Sequence, residues 1–302
     1  MALCSPGRHD GLRGISLCAG VGGLDLGIHL AEPGYRTVCH VERNGFAAAA
    51  LVARMADTSL AAAPVWDDLR SFDGRPWRGR VHLVSAGYPC QPFSLAGNRL
   101  GADDPRHLWP DVARIVREVS PEWCFFENVP GHLSLGFDHV AGELQGMGYR
   151  VAACVVSAAE VGAPHIRERM FILAHANIQG GGQPGLCDAD AGTGPAIQDR
   201  PEPIWQPGRA AQCGTGLGVA VGSADSLGLD TAAPALFPPM PGDFAEWGEA
   251  LRRAPDLKPG IQRLGDGVAT WLDRSAAAGN GVVPLAAARA WRYLKAEITA
   301  EQ

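Results

Sequence analysis

Between residues 13 and 174, short apolar runs alternate with longer stretches whose apolar positions recur at helical spacing. The pattern predicts strands over 14–19, 36–42, 80–86 and 123–128, with helices over 24–31, 45–56, 107–119 and 137–147. Two further runs, 149–157 and 170–174, read as a closing pair of strands. Strands and helices alternating at this spacing predict an α/β fold built on a mostly parallel sheet. The pattern stops at 177. The segment 177–242 holds 13 Gly and 9 Pro, a composition that supports little regular structure. Helical spacing resumes at Asp243, with Phe244, Trp247 and Leu251 on one face, and a last helix is predicted over 284–298.

Composition narrows the class. Apolar residues at 46% and charged residues at 19% exclude a disordered chain and leave material for a sizeable core. No run approaches the roughly 18 apolar residues of a membrane span. No long apolar run marks a leader peptide in the first residues, so a cytoplasmic protein is expected. The eight cysteines are scattered without a Cys-x-x-Cys pair, which argues against a disulfide framework and a structural zinc site. A net charge of −6 argues against nucleic-acid binding by bulk positive charge and leaves room for a local basic cleft. Of the 26 basic residues 24 are Arg, a bias we read as a GC-rich coding background.

Chemistry concentrates where predicted strands end. The first closes in Cys18-Ala-Gly20-Val21-Gly22-Gly23-Leu24-Asp25. Such a turn admits a ligand close to the backbone. Asp25 stands where a dinucleotide fold needs its third glycine. Glu42, twenty residues after Gly22, ends the second strand and offers two carboxylate oxygens to a ribose. A nucleoside cofactor and an ordinary tight turn explain this stretch about equally well. Gly87-Tyr88-Pro89-Cys90-Gln91-Pro92-Phe93-Ser94 follows another apolar strand, at the edge where open α/β sheets bind ligands. A lone cysteine is ordinarily an inert small hydrophobe, but flanking prolines and polar neighbours favour a positioned nucleophile. Glu127 follows Phe125 and Phe126, so its carboxyl should be desolvated and its pKa raised, as suits a proton donor. Standing alone it would read as a surface carboxylate at a strand end. Arg167 and Arg169, two apart in an extended stretch, point to one side. Facing the Cys90 cleft they would recognise an anion or a base.

Taken in order, Cys18–Gly27, Glu42, Asp68, Pro89-Cys90-Gln91, Glu127-Asn128-Val129, Arg167-x-Arg169 and Gly279-Asn280-Gly281-Val282 resemble a DNA cytosine-5 methyltransferase of the bacterial and phage restriction–modification type. A string such as Pro-Cys-Gln-Pro-Phe-Ser arises by chance on the order of once in tens of millions of positions. The resemblance covers about 13–174 and 263–298, not 177–242. It implies a Rossmann-like sheet dependent on S-adenosylmethionine, with a small, irregular target recognition domain. The catalytic domain would comprise 1–174 and 279–302, with the C-terminal helix beside the first strand, and recognition would fall to 175–278.

The resemblance also implies roles. Gly20, Val21 and Gly23 would approach the methionine end of the cofactor, Glu42 its ribose, and Asp68 and Leu69 its adenine. Pro89, Leu108, Asn280 and Val282 would complete the pocket. Cys18 stands where relatives usually carry Phe, and His165 where they usually carry Gln. Cys90 would attack C6 of a flipped-out cytosine, Glu127 would support N3, and Arg167 and Arg169 would hold the base edge and the Cys90 loop. Double-stranded DNA is the implied partner, beside a cognate restriction endonuclease, for a monomer with no metal. The recognition segment, with seven basic against twelve acidic residues over 177–278, would bind phosphates weakly. Two rivals remain. An RNA-methylating relative would carry a Cys-Phe-Thr string, which is absent. A catalytically weak DNA-binding remnant would suit the acidic middle but not the intact motifs. Asp25 and the Pro-Cys-Gln-Pro string exclude a NAD-dependent oxidoreductase.

Overall fold

The structure, a computed structural model, describes residues 11–89, 108–176, 211–212, 243–253 and 280–300. Its strands are β1 (Arg13–Leu17), β2 (Arg36–Val41), β3 (Val65–Trp66), β4 (Leu83–Ala86), β5 (Trp123–Asn128), β6 (Tyr149–Ser157), β7 (Glu168–Ala176) and β8 (Ala211–Gln212). The helices are α1 (Gly23–Ala31), α2 (Gly45–Ala56), α3 (Trp109–Val119), α4 (His132–Leu135), α5 (Phe137–Gly146), α6 (Phe244–Arg253) and α7 (Pro284–Ala300).

The strands form one sheet in the order β3-β2-β1-β4-β5-β7-β6-β8. From β3 through β5 all pairings are parallel, whereas β7 runs antiparallel to both β5 and β6. The carboxyl ends of β1, β2, β4 and β5 therefore share an edge with the beginning of β7. Every predicted motif in the described residues lies along that edge or just past it.

Both faces of the sheet are buried, so its central strands are buried along nearly their whole length rather than on alternate residues. On β5, Cys124 and Phe126 pack with Val112, Ile115 and Val116 of α3 and Leu144 of α5. Phe125, pointing the opposite way, packs with Ile28 of α1 and Trp291 of α7. The last helix was expected beside the first strand. It lies instead on α1 and on β6 and β7. The cause is Gly27, where a Cβ would fall 2.5 Å from that of Ala287 and 2.6 Å from the Pro284 carbonyl oxygen. Without a side chain there, α1 and α7 come into backbone contact. Glu32 at the end of α1 accepts from Trp291 Nε1 at 2.9 Å and pairs with Lys295.

Most predicted elements fall within a few residues of their expected bounds. The strand expected over 80–86 is shorter, starting at Leu83, and the one expected over 170–174 is longer, running Glu168–Ala176. Strands β3 and β8, of two residues each, carry no readable periodicity. Among the described residues no helix is long and apolar enough to cross a membrane.

Candidate active site

The half of the site on β1, α1 and β2 is built from backbone. Gly22 caps α1 in the left-handed region at φ 78°. A Cβ at Gly23 would lie 2.5 Å from the Val282 carbonyl oxygen, so the segment before α7 rests directly on this turn. Gly20 is open, since a Cβ there would meet nothing within 4 Å. The turn is held at both ends. The Gly20 N–H donates to Glu42 Oε2 at 2.7 Å, and Arg54 donates to the Val21 carbonyl at 2.6 Å. Glu42 Oε1 also accepts from the Asn44 N–H at 2.7 Å. Each carboxylate oxygen retains acceptor capacity for a further donor.

Beneath the turn, Asp25 is fully buried. It accepts from Ser16 Oγ at 2.8 Å and from Thr37 Oγ1 at 2.7 Å, with Tyr35 Oη at 3.4 Å. The residue that breaks the dinucleotide pattern thus joins β1, α1 and β2 from below, a role its position in the sequence does not disclose. Cys18 is half-buried at φ 49° and packs against the α3 side of the core. Burial, then Glu42 and Asp111, push its thiol up to about 12, so it stays protonated. Farther along the edge, Asp68 Oδ1 accepts from the Arg70 N–H at 2.9 Å. Leu69 is buried, with its carbonyl held by Arg114 at 2.9 Å. Leu108 caps α3 and packs against the same core.

The half on β4, β5 and β7 is built from side chains. Pro89 lies exposed past the end of β4, and Cys90 lies outside the described residues. The chain leading to Cys90 is tied to β5. Asn128 Nδ2 donates to the Tyr88 carbonyl at 3.2 Å while its Oδ1 accepts from the Val129 N–H at 2.9 Å. Tyr88 Oη also meets His132 Nε2 at 3.1 Å. Burial lowers His132 to about 4, so this imidazole is neutral near pH 7.

Glu127 is buried at the end of β5, and burial pushes its carboxyl up to about 7, against the opposing pull of Arg169 and then Arg167. This is the direction expected from Phe125 and Phe126. Arg169 Nε lies 2.9 Å from Glu127 Oε1. A Cβ on Gly87 would fall 3.4 Å from Glu127 Oε2, so the backbone before Cys90 comes close to this carboxyl. The two arginines diverge more than alternation predicts. Arg167 precedes β7 and donates to the Gly281 carbonyl oxygen at 2.7 Å.

A cleft of about 910 Å³ opens between the halves, lined by Val21, Pro130, residues 165–169 and residues 281–284. It brings together four predicted site residues, Val21, Val282, Arg167 and Arg169. Glu42 joins through its bond to Gly20, whereas Asp68, Leu69 and Leu108 do not line the cleft. Asn280, exposed, precedes the lining residues. The sequence reading missed Asp25, Arg54, Asn128 and His132 as parts of the site. Asn128 stood inside a motif already singled out. The contacts of Arg54 and His132 run over 33 and 44 positions and leave no local signal. Among the described residues no cluster of His, Cys, Asp and Glu could hold a metal ion.

A parallel sheet closed by a reversed strand, with a glycine turn after β1 and a carboxylate after β2, is a Rossmann-like methyltransferase fold. Within that class the chain belongs to the C-5 cytosine-specific DNA methylase family, whose model matches residues 12–183. It is 32% identical over 167 residues to the type II methyltransferase M.NgoMIV of Neisseria gonorrhoeae, covering 54% of this chain and 51% of that protein. It is 33% identical over 179 residues to the type II methyltransferase M.AquIA of Picosynechococcus sp., covering 53% of this chain and 71% of that protein. The chain thus spans about half the length of the first relative and more of the second.

Proposed function

We propose that this chain is a DNA (cytosine-5)-methyltransferase that moves a methyl group from S-adenosylmethionine to C5 of a cytosine flipped out of duplex DNA. The observation that carries this reading is Glu127. It is a buried carboxyl with its pKa near 7, paired with Arg169 and placed against the backbone that leads to Cys90. A cytosine ring needs such a group, because C5 becomes nucleophilic only when C6 is saturated and N3 is held by an acid.

The residues present suit the cofactor. The open side of Gly20 leaves space at the turn, and Glu42 keeps acceptor capacity for ribose hydroxyls. Gly20, Val21, Gly23, Glu42, Asp68, Leu69, Leu108, Asn280 and Val282 would hold it. Pro89 would border it, and the Cys18 thiol would stand beside the adenine. When bound, the cofactor supplies an electrophilic methyl group.

The protein's own steps are these. The Cys90 thiolate adds to C6, forming the C6–S bond, while Glu127 gives N3 a hydrogen bond or proton. The electron pair released toward C5 takes the methyl. A base, water among the candidates, removes the C5 proton, the C6–S bond breaks, and the ring double bond and the thiolate are restored. Arg169 positions Glu127, and Arg167 stands at the mouth of the cleft. Three other cysteines support the choice of Cys90. Burial pushes Cys18 to about 12, Cys39 to about 11 and Cys124 higher still, so none of them supplies a thiolate.

The catalytic domain would take 1–174 and 279–302, and 175–278 would read the DNA sequence, in a cytoplasmic monomer accompanied by a cognate endonuclease. The test is methyl transfer to duplex DNA read by bisulfite sequencing, with 5-methylcytosine as the expected product. Methylation only of adenine, of cytosine N4 or of tRNA overturns the reading. Cys90→Ser should abolish turnover, and the unaltered protein should form a covalent adduct with 5-fluorocytosine DNA. Active enzyme that forms no adduct removes Cys90 from its role. Exchanging 177–262 for a relative's segment should change the methylated sequence, and an unchanged target would place specificity elsewhere.

A further inference from the structure

The segment 280–284 lies between the two halves of the site. On one side its backbone presses on α1. The Val282 carbonyl oxygen would sit 2.5 Å from a Cβ on Gly23, and that of Pro284 lies 2.6 Å from a Cβ on Gly27. On the other side it is held by one side chain of the catalytic half, where Arg167 donates to the Gly281 carbonyl oxygen at 2.7 Å across 114 positions of chain. Arg169, two residues on, turns to Glu127. Both arginines act on the charge of Glu127, but Arg167 is the member of the pair that bonds to the C-terminal segment.

The helix that follows is anchored independently. Arg289 donates to the Glu160 carbonyl at 3.1 Å, Arg292 to the Leu30 carbonyl at 2.7 Å, and Trp291 to Glu32. Loss of Arg167 would leave α7 docked by these bonds and by its buried face. What it would release is the short stretch between Asn280 and Pro284, where the backbone meets the glycine turn.

We propose that Arg167 is a positioning residue that clamps the 280–284 segment onto the glycine turn, so that it sets cofactor affinity, while Arg169 serves Glu127. The proposal rests on the reading of the site as a cofactor-dependent methyltransferase. A guanidinium bond to a carbonyl is charge-assisted and holds the acceptor more tightly than a neutral pair. Removing it lets the segment move off Gly23, which opens that side of the cofactor pocket.

Two measurements test it on the full chain without DNA. The first is the affinity for S-adenosylhomocysteine by titration calorimetry. Arg167→Ala should weaken it roughly 10- to 100-fold, as loss of a charge-assisted bond predicts. Arg167→Lys, whose ammonium can still donate to the carbonyl, should recover part of that loss. Arg169→Ala should stay within about twofold of the unaltered protein, since its partner lies in the other half. The second is hydrogen exchange of the 281–288 amides without ligand. These should exchange faster in Arg167→Ala and unchanged in Arg169→Ala, with amides of α3, which touches neither arginine's partner, unaffected in both. Equal effects of the two alanine variants on both readouts, or no effect of Arg167→Ala on exchange, overturn the clamp. If the unaltered protein binds no S-adenosylhomocysteine, the functional reading fails, and the exchange measurement still decides whether Arg167 holds the segment.

Discussion

The two halves of the site solve different problems with different materials. The glycine turn after β1 is shaped by missing side chains and fixed by backbone bonds to Glu42 and Arg54. The half on β5 and β7 is shaped by charge, with Glu127 buried, raised to about 7 and paired with Arg169. A surface that must accept a ligand along its backbone gains from bareness. A group that must keep or give a proton near neutral pH gains from burial opposed by a cation. The first half should be sensitive to added atoms and to its buried support, the second to the removal of charge.

The largest break in this contrast should come at Glu127. Glu127→Gln keeps the shape but removes the titrating proton, and methyl transfer in a single turnover should fall about 10²- to 10⁴-fold. S-adenosylhomocysteine affinity should hardly change. A loss confined to cofactor affinity would show that the charged half does not carry the chemistry.

Next in size is the support beneath the turn. Asp25→Ala leaves the Ser16 and Thr37 hydroxyls without their buried acceptor. It should cost about 2–4 kcal/mol in urea denaturation, by way of unsatisfied buried donors. Unaltered stability would mean that Asp25 is dispensable to the β1–α1–β2 half.

The pH dependence sharpens the comparison further. Glu127 is raised in the folded chain, so its neutral form is favoured there and its contribution to stability is fully present below about 4.5. That contribution is lost as pH rises through about 7. Single-turnover rates that need the proton should fall through the same range. Arg169→Gln removes the main cation opposing protonation, so in any residual activity this limb should move to higher pH. Movement to lower pH would contradict the assigned pairing. The smallest effect is expected at Tyr88→Phe, which removes the contact with His132. It should lower stability by about 0.5–1.5 kcal/mol, read by thermal denaturation.

The charged half was the more legible in sequence. Trp123–Asn128 was bounded correctly because four apolar and aromatic residues give way to Glu127 and Asn128 at its end, and the raised pKa of Glu127 followed from its two aromatic neighbours. Gly45–Ala56 was bounded correctly too, since Asn44 caps it by accepting from the Ala47 N–H. The glycine turn showed where a ligand could approach but not what held it. Asp25 looked like a departure from a pattern, yet it is the acceptor for hydroxyls from β1 and β2. Arg54 lies on α2 in a run of alanines, and nothing nearby in sequence marks it as the donor to Val21. Local rules reveal a strand end or a cap. A bond between residues brought together by the fold has no local signature.

The placement of α7 bears on how the chain acquires its structure during synthesis. Trp291, Leu294 and Ile298 are fully buried against Phe125, Phe171 and Leu173, and Trp291 reaches Glu32 across 259 positions of chain. When β7 leaves the ribosome, at the usual rate of about 5–20 residues per second, the segment that covers this face has not yet been made. One side of the sheet can be packed as it emerges, because α3 and α5 precede the strands they cover or follow them at once. On the other side, the part over β6 and β7 that α1 does not cover stays open to water and to other nascent chains until residue 298 is free. Association with a chaperone should therefore be concentrated on this face, and a ribosome stalled before α7 should display it while α3 and α5 are already protected.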